Sequence, residues 1–248
     1  MTTLYKYLPP PRIDVLRNQS MRISQPCALN DPHDALIAVR SRLEEHDGGA
    51  RVRADDFKVE RIYARSLQEA FSGQIGVISL TAEPTNTLMW GHYAGSHAGF
   101  LLHFDQDSAL FQQKLVWREQ PYRALHTYEG LPYPSEVVYS DERKIYYIED
   151  GVPWDVLFQK SLAWSYEREF RSLMNLSEGV LSAGISGNRW PVYLLPLPPG
   201  TITGVTFGVA TDESLRQEIR ELTMEQNIPL FQIRMQHLTY VLEQVPVD

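Results

Sequence analysis

The most informative stretch of the chain is Ser-Leu-Ala-Trp-Ser-Tyr-Glu-Arg-Glu-Phe-Arg at residues 161–171. An aromatic segment is followed there by Glu167, Glu169 and Arg171 at every second position. On one β-strand, alternation would point these three side chains to the same face and the two residues between them to the other. Three like-facing ionisable groups predict a functional site. The alternative is a structural ion pair in which Glu169 and Arg171 form a solvated sheet edge.

The remaining sequence mixes strand and helix patterns without a strict β-α-β alternation. Apolar or alternating segments predict strands at 4–8, 21–24, 76–80, 99–104, 136–139, 191–197, 202–207 and 230–236, the last of which closes the sheet. Helical spacing predicts helices at 13–18, 85–94, 154–164 and 212–225. This order favours an α+β fold, with a mostly antiparallel or mixed sheet core and peripheral helices.

A single domain is expected from length and composition. The 248 residues are 43% hydrophobic, which is sufficient for one packed core. Residues 35–71 carry a highly charged helical pattern that Gly48-Gly49 divides into two helices. We therefore expect one domain over residues 1–248, with a charged helical insertion at about residues 35–72.

Charge and cysteine content narrow the classes of partner. Twenty-three basic and 31 acidic residues give a net charge of −8, which argues against binding to nucleic acid or to an anionic membrane. Cys27 is the one cysteine, so an internal disulfide and a multi-cysteine zinc site are excluded. Apolar runs fall short of the roughly 20 residues that cross a bilayer, and no signal segment is recognisable. These features predict a cytoplasmic protein.

Several well-defined catalytic motifs are missing from the sequence. It contains no P-loop, no Gly-x-Gly-x-x-Gly, no His-Glu-x-x-His and no Gly-x-Ser-x-Gly. His92, His97 and His103 are close in sequence, but the pattern places them on a helix, a turn and a strand, without a cysteine or a suitably spaced carboxylate. No metal site is predicted.

A second candidate segment combines a strand serine with an aromatic helix. Ser79 lies on the strand predicted at 76–80, and Trp90, His92 and Tyr93 lie on the helix that follows. Aromatic rings with polar tips can hold a planar ligand ring and orient it by a hydrogen bond. The alternative is ordinary packing, because large apolar residues at helical spacing are typical of a core.

These segments together resemble the bacterial family known as domain of unknown function 2971. The motifs that carry the resemblance run in order from residue 4 to about residue 210. They are Leu4-Tyr5-Lys6-Tyr7, Asn30-Asp31-Pro32-x-Asp34, Ser79-Leu80, Trp90-x-His92-Tyr93-Ala94, His97-x-Gly99-Phe100, Val138-Tyr139 and Lys160-x-x-x-Trp164-x-Tyr166-Glu167-x-Glu169-x-Arg171. His33 stands where the family usually has an aromatic or apolar residue. The resemblance implies no settled activity.

The order Tyr5-Lys6, Ser79, Glu169 also resembles the ADP-ribosyltransferase superfamily. In that superfamily an early strand supplies a basic or His residue, a middle strand a Ser or Tyr, and a late strand a catalytic Glu. The resemblance implies NAD as a candidate substrate and an ADP-ribosyltransferase-like sheet. It implies that Glu169 stabilises positive charge on the ribose and that Glu167 activates or orients an acceptor.

The resemblance further implies that Tyr93 or Trp90 stacks on the nicotinamide, and that Lys6 and Arg171 hold the pyrophosphate or orient Glu169. The predicted catalytic residues are Glu169, Glu167 and Ser79, and the predicted NAD-binding residues are Tyr5, Lys6, Trp90, His92, Tyr93 and Arg171.

Two functions from different classes follow from the sequence. The first is an ADP-ribosyltransferase or NAD glycohydrolase that acts as a bacterial defence or toxin-type effector. The second is a non-catalytic small-molecule-sensing or protein-interaction module, whose acidic surface docks a protein partner. Nicotinamide release distinguishes the enzyme, whereas thermal stabilisation by a ligand without product distinguishes the module.

Overall fold

An eight-stranded sheet forms the centre of the structure. A computed structural model describes residues 2–34, 36–40, 42, 56–112, 133–147, 150, 154–176, 179–185 and 190–247. With strands numbered in chain order, the sheet runs from β15 (Leu242–Pro246) through β14 (Leu230–Met235), β13 (Ile202–Phe207), β5 (Phe100–Asp105), β1 (Thr3–Leu8), β4 (Ile75–Thr81) and β10 (Glu169–Asn175) to β6 (Ser135–Glu136). Neighbouring strands are antiparallel except β13 and β14, which are parallel.

Three smaller sheets surround the large one. The first is antiparallel and contains β11 (Val180–Ile185), β12 (Pro191–Pro196) and β2 (Ser20–Ile23). In the second, β3 (Ala38–Arg40) is parallel to β8 (Ile145–Tyr147). In the third, β7 (Val138–Ser140) is parallel to β9 (Gln159–Ser161). The α-helices are α1 (Asp14–Asn18), α2 (Asp56–Gln74), α3 (Thr87–Tyr93) and α4 (Glu213–Met224). Short 3₁₀ helices lie at Pro10–Ile13, Pro26–Ala28, Ala109–Phe111, Trp154–Phe158 and Leu162–Glu167. The predicted α+β class is confirmed.

Alternation along β1 and β4 places their apolar side chains on different faces of the sheet. Leu4 and Leu8 of β1 pack with Ile78 and Leu80 of β4 in one buried cluster. Tyr7 of β1 packs on the opposite face against α3. Because both faces are covered, a polar side chain on these strands must find a partner inside the protein.

Local capping explains where α3 and α4 begin. Asn86 accepts hydrogen bonds from the backbone N–H groups of Leu88 and Met89 and so caps α3. Asp212 accepts from the N–H of Leu215 at the start of α4. No helix in the described part of the chain is long and apolar enough to cross a membrane.

The structure corrects several predicted elements. The helix predicted at 154–164 is a 3₁₀ turn, the three-residue strand β9 and a second 3₁₀ turn. The apolar residues of this segment lie on three successive short elements, and their spacing in the sequence happens to match that of an α-helix. Residues 38–40 form β3 rather than a helix, and Gly48-Gly49 lies outside the described residues. The strand predicted at 136–139 is divided between β6 and β7, and β15, rather than the strand at 230–236, closes the sheet.

One edge of β4 changes partner along its length, and this creates the space for a site. Thr81, at the end of β4, pairs with Tyr5 of β1. Val77, four residues earlier, pairs instead with Ser24, just after β2. Strands β1 and β2 therefore diverge beside Ser79 and leave a gap there. On its other edge β4 is paired with β10, which brings Glu169 opposite Thr81 and Arg171 opposite Ser79.

Candidate functional site

A cavity of about 230 Å³ occupies the gap between β1 and β2. Its lining residues come from six segments that are distant in sequence. Among them are the charged or hydroxyl-bearing residues Tyr5, Lys6, Ser79, Tyr93, Lys160, Glu167 and Glu169, together with Asn30 and Asp34. Six of the nine residues predicted from sequence thus line one cavity, namely Tyr5, Lys6, Ser79, Tyr93, Glu167 and Glu169.

Arg171 lies behind the cavity wall and is almost fully buried, with 1% of its surface exposed. It donates to Asp34 through two bonds of 2.7 and 2.6 Å, to Glu169 through two bonds of 2.9 and 3.0 Å, and to the carbonyl of Leu157 at 2.6 Å. These five bonds use all five N–H donors of a guanidinium. Arg171 is thus engaged inside the protein and has no donor left for a pyrophosphate.

Glu169 is held in its ionised form. Burial alone would raise the pKa of this carboxyl, but Arg171 and Lys160 oppose that effect and hold the pKa at about 2. The nearby Ser79 side chain lowers the pKa further. The backbone N–H of Glu169 donates to the hydroxyl of Tyr139 at 2.8 Å, which fixes the start of β10. The cavity wall therefore presents a carboxylate that stays charged throughout the neutral and mildly acidic range.

Lys160 bridges the two carboxylates that the sequence places two residues apart. Its Nζ atom donates to Glu167 Oε2 at 2.5 Å and to Glu169 Oε2 at 3.0 Å, and lies 5.0 Å from the centre of the Trp164 ring. Burial alone would lower the pKa of Lys160, but Glu169 and Glu167 raise it. We call Asp34, Lys160, Glu167, Glu169 and Arg171 the paired network. It contains two cations and three carboxylates.

Glu167 reaches the cavity by a different route from the one predicted. It ends the 3₁₀ helix Leu162–Glu167, and the left-handed backbone of Arg168, with φ of 41°, separates it from β10. Thr81 donates to the Glu167 carbonyl at 2.5 Å and so ties this turn to β4. Glu167 and Glu169 therefore share the cavity although strand alternation does not relate them.

Tyr93 connects α3 to the paired network. Its hydroxyl donates to Glu167 Oε1 and accepts from the Asn30 side chain at 2.9 Å. Burial, together with the hydrogen bond and the charge of Glu167, raises the pKa of Tyr93. The hydroxyl stays protonated at neutral pH and orients the Glu167 carboxylate.

Lys6 enters the cavity from the opposite side to Glu169. Its Nζ atom donates to the backbone carbonyl of Ser79 at 2.9 Å, in the stretch of β4 that neither β1 nor β2 pairs. Among the described residues it forms no ion pair. Burial and the neighbouring Arg12 lower the pKa of Lys6 to about 8, and Glu169 opposes this only in part.

Two residues from the predicted site lie elsewhere. Trp90 is completely buried in the cluster that covers Tyr7, and its ring N–H donates to the carbonyl of Pro84 at 2.9 Å. Its position is that of a core residue, as the packing interpretation anticipated. His92 is exposed, outside the cavity lining, with its ring 6.4 Å from that of Tyr166. Neither residue enters the proposals below.

The other histidines do not form a site with His92. His103 lies on β5, where it bonds Thr206 at 2.7 Å and Gln244 at 3.1 Å, and burial lowers its pKa to about 4. Within the described ranges, no group of three His, Cys, Asp or Glu residues is arranged to hold a metal ion.

Sequence reasoning did not assign a site role to Asp34, Lys160 or Asn30. All three were present among the motifs that resemble the family, in the turn at 30–34 and at the start of the 160–171 motif. Charged and amide side chains at turns and on short strands are also typical of solvated surfaces, so the sequence pattern alone did not assign these residues to a site. Burial in the structure distinguishes Asp34 and Lys160 from solvated surface residues, since Asp34 is 2% exposed and Lys160 is 8% exposed.

A larger cavity of about 690 Å³ lies on the far side of Lys160. It is lined by β7, β8 and β9, and its charged groups include Lys144 and Asp155, which form an ion pair that is about half exposed. Pairs of this kind contribute little and are easily solvated. The buried, densely bonded charges instead line the smaller cavity, so we place the candidate site there.

Comparison with known proteins gives one match. Residues 89–172 match the model of a family described as "Protein of unknown function (DUF2971)". The match includes Tyr93, Lys160, Glu167, Glu169 and Arg171, and it supports the family resemblance for this part of the chain. No curated protein and no solved structure matches the chain. The resemblance to ADP-ribosyltransferases therefore rests on residue order and type alone.

Proposed function

We propose that this protein cleaves the bond between nicotinamide and ribose in NAD, as an NAD glycohydrolase or an ADP-ribosyltransferase. The observation that carries the proposal is the Glu169 carboxylate, which lines the cavity and is held ionised by Arg171 and Lys160, with a pKa of about 2. A group of this kind cannot act as a general acid near neutral pH, but it is suited to stabilise developing positive charge.

The reaction places positive charge where the paired network is negative. When the glycosidic bond breaks, its electron pair leaves with the nicotinamide nitrogen, and the ribose acquires oxocarbenium character. Three carboxylates against two cations give the network one excess negative charge next to that ribose. The oxygen of water or of an acceptor hydroxyl then bonds to the ribose carbon and loses its proton, and Glu167, which lines the cavity, is the base that we assign to this step.

The size of the cavity limits which part of the nucleotide can enter. Pockets that enclose a drug-sized ligand measure roughly 300–1,000 Å³, and this one measures about 230 Å³. It suits the ring and the ribose, with the rest of the nucleotide outside. Tyr5, Tyr7 and Tyr93 are the aromatic residues that line the cavity, and we assign Tyr5 and Tyr93 to the nicotinamide ring.

The direct test is incubation of the purified protein with NAD, with chromatographic measurement of released nicotinamide. Glu169→Gln should reduce release by about 10²–10³-fold, as expected for loss of an electrostatic stabiliser. Glu218→Gln on the exposed face of α4 is the matched control and should leave the rate unchanged. Ser79→Ala keeps every charge but removes a hydroxyl that lines the cavity and helps to lower the pKa of Glu169, so it should reduce release by about tenfold.

The two variants guard against misfolding. Thermal unfolding must show that each variant is folded. If Glu169→Gln does not fold, the nicotinamide release measured for Ser79→Ala tests the proposal instead. Absence of nicotinamide release by the wild-type protein would contradict the proposal, as would undiminished release by folded Glu169→Gln.

A non-catalytic sensing module is the second candidate, and one observation favours it. Both oxygens of Glu167 and of Glu169 already accept bonds from Tyr93, Lys160 or Arg171. Carboxylates whose oxygens are all hydrogen-bonded inside the protein are held rigidly. A rigid cavity wall also suits a site that binds a ligand without reacting with it. This function predicts that NAD or a fragment of it raises the melting temperature while no nicotinamide appears. The role of a defence or toxin-type effector stays a prediction for either candidate.

A further inference from the structure

Arg22 is an unpaired cation beside the candidate site. Its Nε atom is buried, yet no atom of the described chain accepts a hydrogen bond from it. Within the same residues Arg22 forms no ion pair either. Leaving a buried charged donor without a partner is costly, and an exception of this kind calls for an explanation. Burial and the neighbouring Arg12 lower the pKa of Arg22.

The position of Arg22 relates it to the cavity. Arg22 belongs to β2, and Ser24, two residues later in the same extended segment, lines the cavity and pairs with Val77 of β4. Side chains two apart on extended backbone lie on the same face. Met21 and Ile23, on the other face, are buried in the apolar core. Arg22 therefore lies on the same face of this segment as Ser24, which lines the cavity, although Arg22 itself is not among the lining residues.

Two further cations lie close to Arg22. Arg12, in the turn after β1, is near enough to lower the pKa of both Lys6 and Arg22. One of its five N–H groups bonds Asp14 at 2.9 Å, and its side chain is 30% exposed. Lys6 uses one of three donors, on the Ser79 carbonyl. We call Lys6, Arg12 and Arg22 the basic cluster, whose three cations have one carboxylate partner between them in the described chain, Asp14.

We propose that the basic cluster binds the diphosphate of a nucleotide whose ribose lies against Glu169. A diphosphate would accept a bond from the orphaned Nε of Arg22 and would neutralise the repulsion among the three side chains. Guanidinium groups suit this ligand because their planar fork matches two phosphate oxygens at once. This assignment replaces Arg171, whose donors are all occupied, with Arg22 and Arg12 as the phosphate-binding arginines.

The inference rests on the proposed function, because it supplies the site for the other half of the same nucleotide. Its test does not depend on catalysis. Isothermal titration with ADP, with inorganic pyrophosphate and with adenosine, at low salt, measures binding alone. Adenosine lacks phosphate and should not bind measurably. Pyrophosphate should bind, and ADP should bind more tightly if the site is made for a nucleotide rather than for a free anion.

Arg22→Met removes the orphaned donor while keeping most of the side chain. It should weaken binding of ADP and pyrophosphate by about tenfold or more, the loss of one charge-assisted bond. Arg12→Met should weaken binding to a similar or smaller extent, and it provides a second answer if Arg22→Met does not fold. Arg17→Met is the matched control, because Arg17 is an exposed arginine that already has a carboxylate partner, Glu218. Its affinity should stay within twofold of wild type.

The outcomes separate the two proposals. The basic cluster is overturned as a diphosphate site if pyrophosphate and ADP do not bind the wild-type protein. It is also overturned if Arg22→Met and Arg12→Met both bind them as tightly as the wild-type protein does. Binding that depends on Arg22 without nicotinamide release upholds the site and contradicts the catalytic proposal. Nicotinamide release with an unchanged KM in Arg22→Met upholds catalysis and contradicts the site.

Discussion

The paired network and the basic cluster are two groups of charged side chains on adjoining strands, and the fold treats them in opposite ways. In the paired network, Arg171 uses every donor it has on Asp34, Glu169 and a backbone carbonyl. In the basic cluster, Arg22 has a buried nitrogen with no acceptor in the described chain. The first arrangement is complete without a ligand. The second leaves a buried donor without an acceptor in the described chain, and we propose that a bound anion supplies that acceptor.

The largest effect should come from breaking the paired network at its centre. Arg171→Met leaves Asp34 and Glu169 as buried carboxylates without their main cation, which typically costs about 3–5 kcal/mol. Denaturant unfolding at pH 7 measures this cost. Arg17→Met, which removes an exposed ion pair, should cost less than about 1 kcal/mol in the same assay. A loss below about 1 kcal/mol for Arg171→Met would show that the network does not stabilise the fold.

Acid should weaken the same network without any substitution. The folded-state pKa of Glu169 is about 2, below its ordinary value of 4.5. A depressed carboxyl pKa contributes stability that is fully present above about pH 4.5 and is lost as the pH falls towards 2. The shift corresponds to about 3 kcal/mol.

Denaturant unfolding at a series of pH values between 5 and 2.5 follows this loss. Glu169→Gln has no such group and should lose correspondingly less over the same interval, whereas Glu218→Gln should behave as the wild type. Identical curves for wild type and Glu169→Gln would contradict the assignment.

Removal of the unpaired arginine should have a much smaller effect on stability. Because Arg22 forms no ion pair within the described residues, Arg22→Met should change the free energy of unfolding by less than about 1 kcal/mol, in either direction. Comparison with Arg171→Met tests the contrast directly, since both substitutions replace a part-buried or buried arginine with the same residue. A loss of several kcal/mol from Arg22→Met would mean that Arg22 is a structural residue.

The smallest effect should be seen on the reactivity of Lys6. Arg12→Met removes a positive neighbour, so the pKa of Lys6 should rise from about 8 towards the ordinary value for lysine. At pH 8, acetylation of Lys6 followed by mass spectrometry should become slower in the variant. Lys144, an exposed lysine in the same sample, is the internal control and should react at an unchanged rate. Unchanged Lys6 reactivity would place Arg12 outside the basic cluster.

The sequence was sufficient for the parts of this picture that depend on local periodicity. Alternation correctly placed Glu169 and Arg171 on one face of β10. The short strand β9, which carries Lys160, has three residues, too few for a periodic pattern. Glu167 appeared to belong to the strand because a left-handed residue such as Arg168 is not visible in the pattern.

The long-range features had no local signal. Asp34 lies in a turn, and only the tertiary fold brings it against Arg171, 137 residues away. The orphaned Nε of Arg22 depends on what the neighbouring strands leave unpaired, which composition cannot indicate. The divergence of β1 and β2 along β4 likewise results from the pairing of Thr81 and Val77 with different segments. The cavity is a product of this pairing, so its volume and lining could be known only from the structure.

The central claim is that one nucleotide bridges the paired network and the basic cluster. A crystal structure of the wild-type protein in complex with ADP-ribose tests it most directly. We expect the terminal ribose within hydrogen-bond distance of Glu169 and the diphosphate within hydrogen-bond distance of Arg22 and Arg12. ADP-ribose bound away from the gap between β1 and β2, or with its diphosphate in bulk solvent, would contradict the account.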